Sequence, residues 1–294
     1  MRKILVAFCL FAGLNVSAAS FKVNGSYSVM EGIEAYHPVL NDAGNKILYS
    51  TEDFVGLKLY DSVLNTTEVI STSVAAGFTP VFTANGDIYY RSSKMQGRLR
   101  YTNLMQRKNG AKASIELIPM NRDNSKLQVC NGKFVAKSGK CSIGLDKGLS
   151  MAYDDYDAIV LVQNGVEKRI SPLGTGHTYT SASLSPDGTK LVFTEPYEGV
   201  FTCNLDGFGL KSFGRGDMTK WLDNDHIVFV KSRDDGHFVI ESRLYVLNIN
   251  TRSALALTPS SVIVDDHSIA VNAGKIVYGT EEGKLFMIEF DIEK

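Results

Sequence analysis

The sequence predicts an all-β protein, a six-bladed β-propeller of four-stranded antiparallel blades that is closed by a strand near the N-terminus. Three observations support this fold class. Short strand-turn-strand patterns recur along the chain. Turn-forming and aromatic residues are plentiful, with 26 Gly, 13 Tyr and 15 Phe among 294 residues. No segment keeps the three- and four-residue apolar spacing of an amphipathic helix.

The overall composition excludes several classes of protein. Lys and Arg together number 31 and Asp and Glu 32, so the formal net charge of −1 excludes a generally basic nucleic-acid binder. Hydrophobic residues make up 44% and charged residues 21%, which is ordinary for a folded globular chain. Four cysteines are too few for a disulfide scaffold. We therefore expect a globular protein with no nucleic-acid partner.

Residues 1–19 have the pattern of a secretory signal peptide. Arg2 and Lys3 are positive, residues 4–14 are apolar, and residues 16–19 are small at the positions that precede a cleavage site. The apolar run is too short to span a bilayer, and no later stretch reaches the roughly 18 uninterrupted apolar residues of a membrane helix. We expect no transmembrane segment, a periplasmic or secreted location, and a propeller formed by residues 20–294.

Export would permit disulfides. Cys130 and Cys141 are close in sequence and could face each other across adjacent strands, or they could be small buried hydrophobic residues. No cysteine and histidine spacing suggests a zinc site.

Five segments repeat one pattern: a short strand, a tight turn that carries Gly, Asn or Asp, and then an apolar strand. These turn residues accept positive φ, which is typical of a β-hairpin. A second hairpin usually follows each of them. The five segments are 37–50, 79–90, 181–194, 219–230 and 268–279.

The repeat length predicts the number of blades. Four strands in about 45 residues form one propeller blade, and the exported part of the chain divides into about six such units. The sixth unit supplies only three strands, so residues 21–29 are expected to add the fourth and close the ring. The expected blades cover 37–72, 76–122, 125–173, 176–214, 217–258 and 265–294.

The clearest repeat, residues 183–193 with the sequence SLSPDGTKLVF, resembles the repeat signature of TolB-like six-bladed β-propellers. The other four repeats are weaker copies, and residues 125–173 contain no clear copy. The resemblance implies an exported bacterial protein, periplasmic or secreted, that works by protein–protein interaction. It is specific for the fold and does not identify a partner.

Histidines and carboxylates collect at one end of the predicted channel. We call this end the top face: it holds the loops between the second and third strands of each blade and the loops that lead into the next inner strand. Some of these side chains lie at the beginnings of inner strands, and others lie in a long loop of the fifth predicted blade. The predicted ligand-binding residues of this pore mouth are His37, His177, Asp234, Asp235, His237, Asp265, Asp266 and His267.

Some of these side chains could also hold a divalent cation. Carboxylates suit Ca²⁺ or Mg²⁺, and carboxylates with imidazoles suit Zn²⁺ or another transition metal. Alternatively, they are solvated turn residues, because Asp is common in turns for conformational reasons. The candidate metal ligands are Asp234, Asp235, His237, Asp266 and His267.

Two functions stay open at this level. The first is an exported, monomeric, non-catalytic binding or scaffold protein whose top face binds a protein, peptide or glycan. The alternative is a hydrolase or lyase that acts on a polysaccharide or peptide at the pore mouth, with or without a metal ion. No catalytic residue is predicted, because neither a Ser/His/Asp arrangement nor a G-x-S-x-G motif can be assembled from the spacing.

Overall fold

The computed structural model describes residues 20–122 and 125–293. The predicted signal peptide, residues 1–19, lies outside the described residues. The described chain forms seven antiparallel β-sheets arranged as a propeller, and each sheet is one blade. Neighbouring blades contact one another through their inner strands, and the last blade contacts the first, so the blades form a closed ring.

Five blades have four strands. The first strand of the chain, β1 (Ser20–Val29), belongs to the last blade. Blade one contains β2 (Tyr36–Leu40), β3 (Lys46–Ser50), β4 (Leu57–Asp61) and β5 (Thr66–Ser71), and blade two contains β6 (Val81–Phe82), β7 (Ile88–Gln96), β8 (Leu99–Arg107) and β9 (Ile115–Asn121).

Blades three and four are smaller, with three strands each. Blade three contains β10 (Lys126–Cys130), β11 (Lys133–Ser138) and β12 (Cys141–Ile143). A short 3₁₀ turn, Leu145–Lys147, leads to blade four. Blade four contains β13 (Met151–Asp155), β14 (Ala158–Gln163) and β15 (Val166–Ile170).

The last three blades are again four-stranded. Blade five contains β16 (Thr180–Leu184), β17 (Lys190–Glu195), β18 (Gly199–Asn204) and β19 (Lys211–Ser212). Blade six contains β20 (Asp217–Trp221), β21 (His226–Asp234), β22 (Val239–Asn248) and β23 (Ala254–Ala256). Blade seven contains β24 (Val264–Ala270), a 3₁₀ turn at Val271–Ala273, β25 (Lys275–Thr280), β26 (Leu285–Glu293) and β1.

The propeller fold is confirmed, but the prediction of six blades is wrong. The error lies in residues 125–173, which were assigned to one blade and form two. Division by an average blade length assumes four strands per sheet, whereas these residues hold six strands of three to six residues in two separate sheets. The later blades are therefore numbered five to seven.

The inner strand of blade four runs in the opposite direction to its neighbours. Lys126 and Gln128 of β10 donate side-chain hydrogen bonds to the carbonyls of Asp154 and Ala152 of β13, so these two strands are antiparallel. Other neighbouring inner strands are parallel, as the bonds from Thr219 and Trp221 to the carbonyls of Ser181 and Ser183 show. Among the residues that the structure describes, blade three thus has no fourth strand and blade four no first strand.

The predicted closure by the N-terminal strand is confirmed. β1 pairs with β26 along its whole length, from Ser20 opposite Glu293 to Val29 opposite Leu285. The ring of Phe21 stacks on that of Phe290, with centroids 4.8 Å apart. The circle of blades is therefore closed by a strand from the other end of the chain, and this pairing removes an exposed sheet edge.

The hydrophobic core lies between blades because alternate side chains of each strand point to opposite sheet faces. Blade six packs Val228 and Val246 against Ile276 and Ile288 of blade seven. Similar clusters join the other neighbouring pairs. This packing leaves the loops of the top face free to carry function.

The cysteine pair is not bridged. Cys130 pairs with Lys133 and Cys141 with Ser138, so the two cysteines lie at opposite ends of β11. Five residues of extended chain separate these ends by about 17 Å, well beyond the span of a disulfide. Both thiols are free.

Candidate functional site

Three of the predicted residues meet at the top of the channel, between blades seven and one. His37 Nδ1 lies 3.8 Å from Asp266 Oδ2, and His37 Nε2 lies 2.9 Å from the carbonyl oxygen of Glu52. Asp265 precedes Asp266 on β24 and interacts electrostatically with His37. We call His37, Asp265 and Asp266, with Lys220, the mouth cluster.

Lys220 is the member that the sequence analysis missed. It comes from β20 of blade six, and its Nζ lies 3.2 Å from Asp266 Oδ1 and also donates to the carbonyl of His267. Lys220 thus ties the inner strand of blade six to that of blade seven. The repeat that contains Thr219 and Trp221 marks the strand, but the contact of Lys220 with the neighbouring blade has no sequence signal.

The backbone at His37 adopts a positive φ of 54° in a bulged strand. Ser181 and Met218, near the beginnings of β16 and β20, have φ values of 53° and the same kind of register shift. A positive φ on a non-glycine residue costs energy and often marks a site. Here it recurs in three blades, so it belongs to the fold and sets where the first inner-strand side chains project.

Aromatic rings support His37 from one side. Its imidazole stacks on Phe54, with centroids 3.7 Å apart, and Phe54 meets Phe78 edge to face at 5.2 Å. The Arg91 guanidinium lies over Phe78. These contacts hold the imidazole in one orientation, with its Nδ1 toward Asp266.

The charges of the mouth cluster perturb one another. Burial alone would raise the pKa of Asp266, but Lys220 and His37 outweigh it and hold that pKa well below its usual range. Burial lowers the pKa of His37, whereas its bonds to Asp266 and Glu52 raise it, and the net shift is upward. Asp266 is therefore a carboxylate held between the Lys220 ammonium group and the His37 imidazole.

The pKa of Asp265 shifts in the opposite direction from that of Asp266. Burial raises its pKa, His37 pulls it down, and the negative charges of Asp266 and Glu52 raise it further, with a net upward shift. Two neighbouring carboxyl groups with pKa values pushed apart are one requirement for acid–base chemistry. This is the one feature of the cluster that resembles a catalytic site.

His267 follows Asp266 but is not exposed at the mouth. Its side chain is fully buried, and neither ring nitrogen has a hydrogen-bond partner among the described residues. Burial, and then the charge of Lys220, lower its pKa to about 3, although Asp266 acts in the opposite direction. His267 is thus a neutral side chain in the blade interior.

His177 lies in a second, smaller cluster in blade five. Its Nδ1 is 3.7 Å from both Glu195 Oε1 and Glu198 Oε1. Glu195 is buried and accepts backbone N–H groups of Tyr197 and Glu198 at 2.7 Å, so it mainly orders the loop between β17 and β18.

Asp234, Asp235 and His237 lie in the exposed turn of the long hairpin formed by β21 and β22. Asp235 Oδ1 accepts the N–H groups of His237 and Phe238 at 2.9 Å, and Asp234 Oδ1 accepts that of Gly236. These carboxylates shape the turn. Among the described residues, no hydrogen bond or ion pair links them to the mouth cluster.

The described residues contain no group of three or more His, Cys, Asp or Glu side chains that could hold a metal ion. A divalent-cation site made from Asp234, Asp235, His237, Asp266 and His267 stays a prediction. Within the same described ranges, no helix is long and apolar enough to cross a bilayer.

Exposed aromatic side chains concentrate on the top face. The described residues include six exposed aromatic side chains, and four of them lie in top-face loops. Tyr27 lies on β1, and Phe208 lies on the opposite face, in the turn between β18 and β19. We call the four top-face residues the aromatic rim: Phe78, Tyr156, Tyr197 and Phe238.

Comparison with known proteins agrees with the fold. Neither a protein-family model nor a curated protein sequence matches the chain. Among solved structures, the Cps50 (Swd1) β-propeller domain of Myceliophteria thermophila is similar, with a TM-score of 0.52, 9% identity, and 92% of this chain and 99% of that chain covered. An oligogalacturonate lyase from Vibrio parahaemolyticus follows with a TM-score of 0.50, 13% identity, and 88% and 79% covered.

TolB from Acinetobacter baumannii also matches, with a TM-score of 0.48, 14% identity and 88% of this chain covered. The chain spans only 55% of the length of that TolB. At such identities a shared propeller shows the fold alone, and one fold hosts many functions. A TolB-type repeat in residues 183–193 therefore stays a prediction.

Proposed function

We propose that this protein is an exported, monomeric, non-catalytic binding protein that holds a protein or peptide partner on the top face of its propeller, in the periplasm or outside the cell. The observation that carries the proposal is the aromatic rim. Among the described residues, four exposed aromatic side chains lie on one face of the propeller and one lies on the opposite face. Aromatic residues are enriched where proteins bind each other, because they bury a large area at small entropic cost.

The polar groups of the top face also favour binding over catalysis. Asp266 is paired with Lys220 and His37, and the Glu195 carboxylate accepts loop N–H groups. Such groups are already satisfied, so they can define a shape but have little freedom to exchange protons. Loops held on a rigid scaffold are a common way to present a binding surface.

Photo-crosslinking tests this proposal with a matched pair of positions. Phe238 on the top face and Phe208 on the opposite face are 76% and 75% exposed. A photo-reactive residue at position 238, in the native host, is expected to give a discrete adduct with a partner, and one at position 208 is not. The same adduct should weaken at least fivefold in Tyr197→Ala, with an unchanged melting temperature.

Adducts at position 208 alone, or at neither position, would contradict a top-face partner. Equal adducts at both positions would show nonspecific capture and would also contradict it. A labelled export reporter fused after residue 19 tests the location independently of the partner.

The raised pKa of Asp265 favours a second candidate, a hydrolase or lyase that acts on a polysaccharide or peptide at the mouth. Burial and the negative charges of Asp266 and Glu52 raise the pKa of Asp265, although His37 lowers it, and a carboxyl group with a raised pKa is better suited to act as a general acid. If this candidate is correct, purified protein will cleave a polysaccharide or peptide substrate, and Asp265→Asn will lower the rate at least a hundredfold. Parallel assays with Ca²⁺, Mg²⁺, Zn²⁺ or a chelator test the cation, and Asp234→Asn is the exposed control.

A further inference from the structure

A polar cleft lies on the top face beside the inner strand of blade four, and blades three and five also contribute to its wall. It has a volume of about 560 Å³, which is in the range of small-molecule sites. It lies beside the reversed inner strand β13, and its wall includes Lys126, Lys137, Tyr153, Tyr156 and Glu167. None of the mouth-cluster residues lines it.

The charges that line the cleft are balanced in pairs. Lys126 Nζ lies 3.4 Å from Asp154 Oδ2, and Lys137 forms an ion pair with Glu167. The third lining carboxylate, Asp155, is paired with Arg169, which lies outside the lining and also pairs with Asp157. Because each lining carboxylate has a cation beside it, the cleft has no excess of positive charge with which to attract an anion.

These paired groups still have hydrogen-bonding capacity. A carboxylate offers about four lone-pair positions and an ammonium three N–H donors, and one ion pair uses only part of that capacity. The ion pairs also fix the side chains, so a ligand would not have to order them on binding. Fixed donors and acceptors in a nearly neutral cleft suit a neutral ligand with many hydroxyl groups.

Two tyrosines add apolar surface to these donors and acceptors. Tyr153 lies under Lys126, whose Nζ is 5.6 Å from the ring centroid. Tyr156 is 78% exposed at the rim, on a backbone with φ of 55°. Its carbonyl accepts the N–H of Tyr179 at 2.9 Å, which fixes the turn. A sugar ring has one face of C–H groups, and that face packs on an aromatic ring.

We propose that this cleft is a binding site for a neutral oligosaccharide, in which Tyr156 stacks on a sugar ring and the paired charges of Lys126, Lys137 and Glu167 bond its hydroxyls. The site is separate from the mouth cluster but shares Tyr156 with the aromatic rim, and binding of a sugar to the purified chain requires no protein partner. The balanced charges argue against an anionic sugar, which would leave Asp154 and Glu167 facing like charge.

The test is a glycan array that carries neutral hexose and N-acetylhexosamine oligomers beside uronic-acid and sulfated ones. The exported chain is expected to bind at least one neutral oligomer and none of the anionic ones better. For the best hit, calorimetry is expected to show at least tenfold weaker binding by Tyr156→Ala. Tyr156→Phe, which keeps the ring, should bind within threefold of the original chain.

Phe208→Ala removes a similarly exposed aromatic side chain from the opposite face and is expected to leave sugar affinity unchanged. Lys137→Met with Glu167→Gln should weaken binding at least fivefold, and melting curves check that each variant is folded. The proposal is overturned by an array with no neutral hit, by preference for an anionic sugar, or by full affinity in Tyr156→Ala.

Discussion

A chain that lacks residues 20–29 will lose most of its stability and will aggregate. Removal of β1 takes away the pairing that closes the ring and the stack of Phe21 on Phe290. It also uncovers β26, a nine-residue strand that includes the buried Ile288 and Phe290. We expect a loss on the order of 5 kcal/mol in the free energy of unfolding, which is comparable with the whole net stability of many domains.

Thermal unfolding and size-exclusion chromatography of the chain from residue 20 and the chain from residue 30 measure this effect. The shorter chain should melt at least about 10 °C lower and elute as aggregates. Blade three provides a natural comparison, because in the described part of the chain it has three strands and its outer strand, β12, is only three residues long. An open edge is tolerated there because it is short and partly polar.

A disulfide between β1 and β26 should stabilise the propeller. Lys22 lies opposite Asp291 in the register of β1 and β26. In a chain with Cys130 and Cys141 replaced by serine, Lys22→Cys with Asp291→Cys should form a disulfide that raises the melting temperature under oxidising conditions only. Lys22→Cys with Glu289→Cys is out of register and serves as the control. Equal melting temperatures for the chains with and without β1 would show that the pairing of β1 with β26 does not stabilise the propeller.

The second large effect is a loss of stability in acid that depends on His267. Its pKa is about 3 in the folded protein and 6.5 when unfolded. Between these values the unfolded chain binds a proton that the folded chain does not, so stability falls as the pH falls. From pH 7 to pH 5 the expected loss from this group is about 2 kcal/mol.

His267→Leu should remove that loss. At pH 7 the variant should be as stable as the original chain or about 1 kcal/mol more stable, because a buried ring without hydrogen-bond partners is replaced by an apolar side chain. Urea unfolding at pH 7 and pH 5 measures both quantities. His237→Leu, in an exposed turn, is the control. If His267→Leu and the original chain show the same acid dependence, His267 is not the buried neutral group described here.

Asp266 and His37 also contribute to the pH dependence of the free energy of unfolding. Asp266 has a lowered pKa in the folded state, so its contribution is present above the ordinary carboxyl pKa and is lost only as the pH falls below it. His37 has a raised pKa, so its contribution is complete below 6.5 and is lost as the pH rises through the higher folded value. The difference between the His267 variant and the original chain isolates the His267 effect from both.

The sequence predicted the fold class, the closing strand and most blades because turn residues and strand alternation are local signals. It could not predict the split of residues 125–173, because β12 has three residues and no strong pattern. Division of the chain by a mean blade length therefore assigned the two sheets of this segment to one blade. Local patterns identify strands well, whereas their number per sheet depends on pairing between distant residues.

The same limit applies to the candidate site. The sequence placed His37, Asp265 and Asp266 on one face, where they do meet. It also placed His267 there, although strand alternation turns this side chain into the blade. Lys220 and the cleft beside β13 were missed, because each depends on which blades are neighbours. Adjacency of that kind cannot be seen before the blade number is known.

The reversed β13 restricts how such a ring can change its length during evolution. A chain that drops one strand would enter every later blade from the wrong end, and all downstream loops would swap faces. The last strand of blade three and the first strand of blade four are both missing from the ranges that the structure describes. Because the number of missing strands is even, β16 runs in the same direction as the other inner strands. Loss of two strands at one junction between blades therefore shortens a propeller while the loops of every other blade stay on the same face.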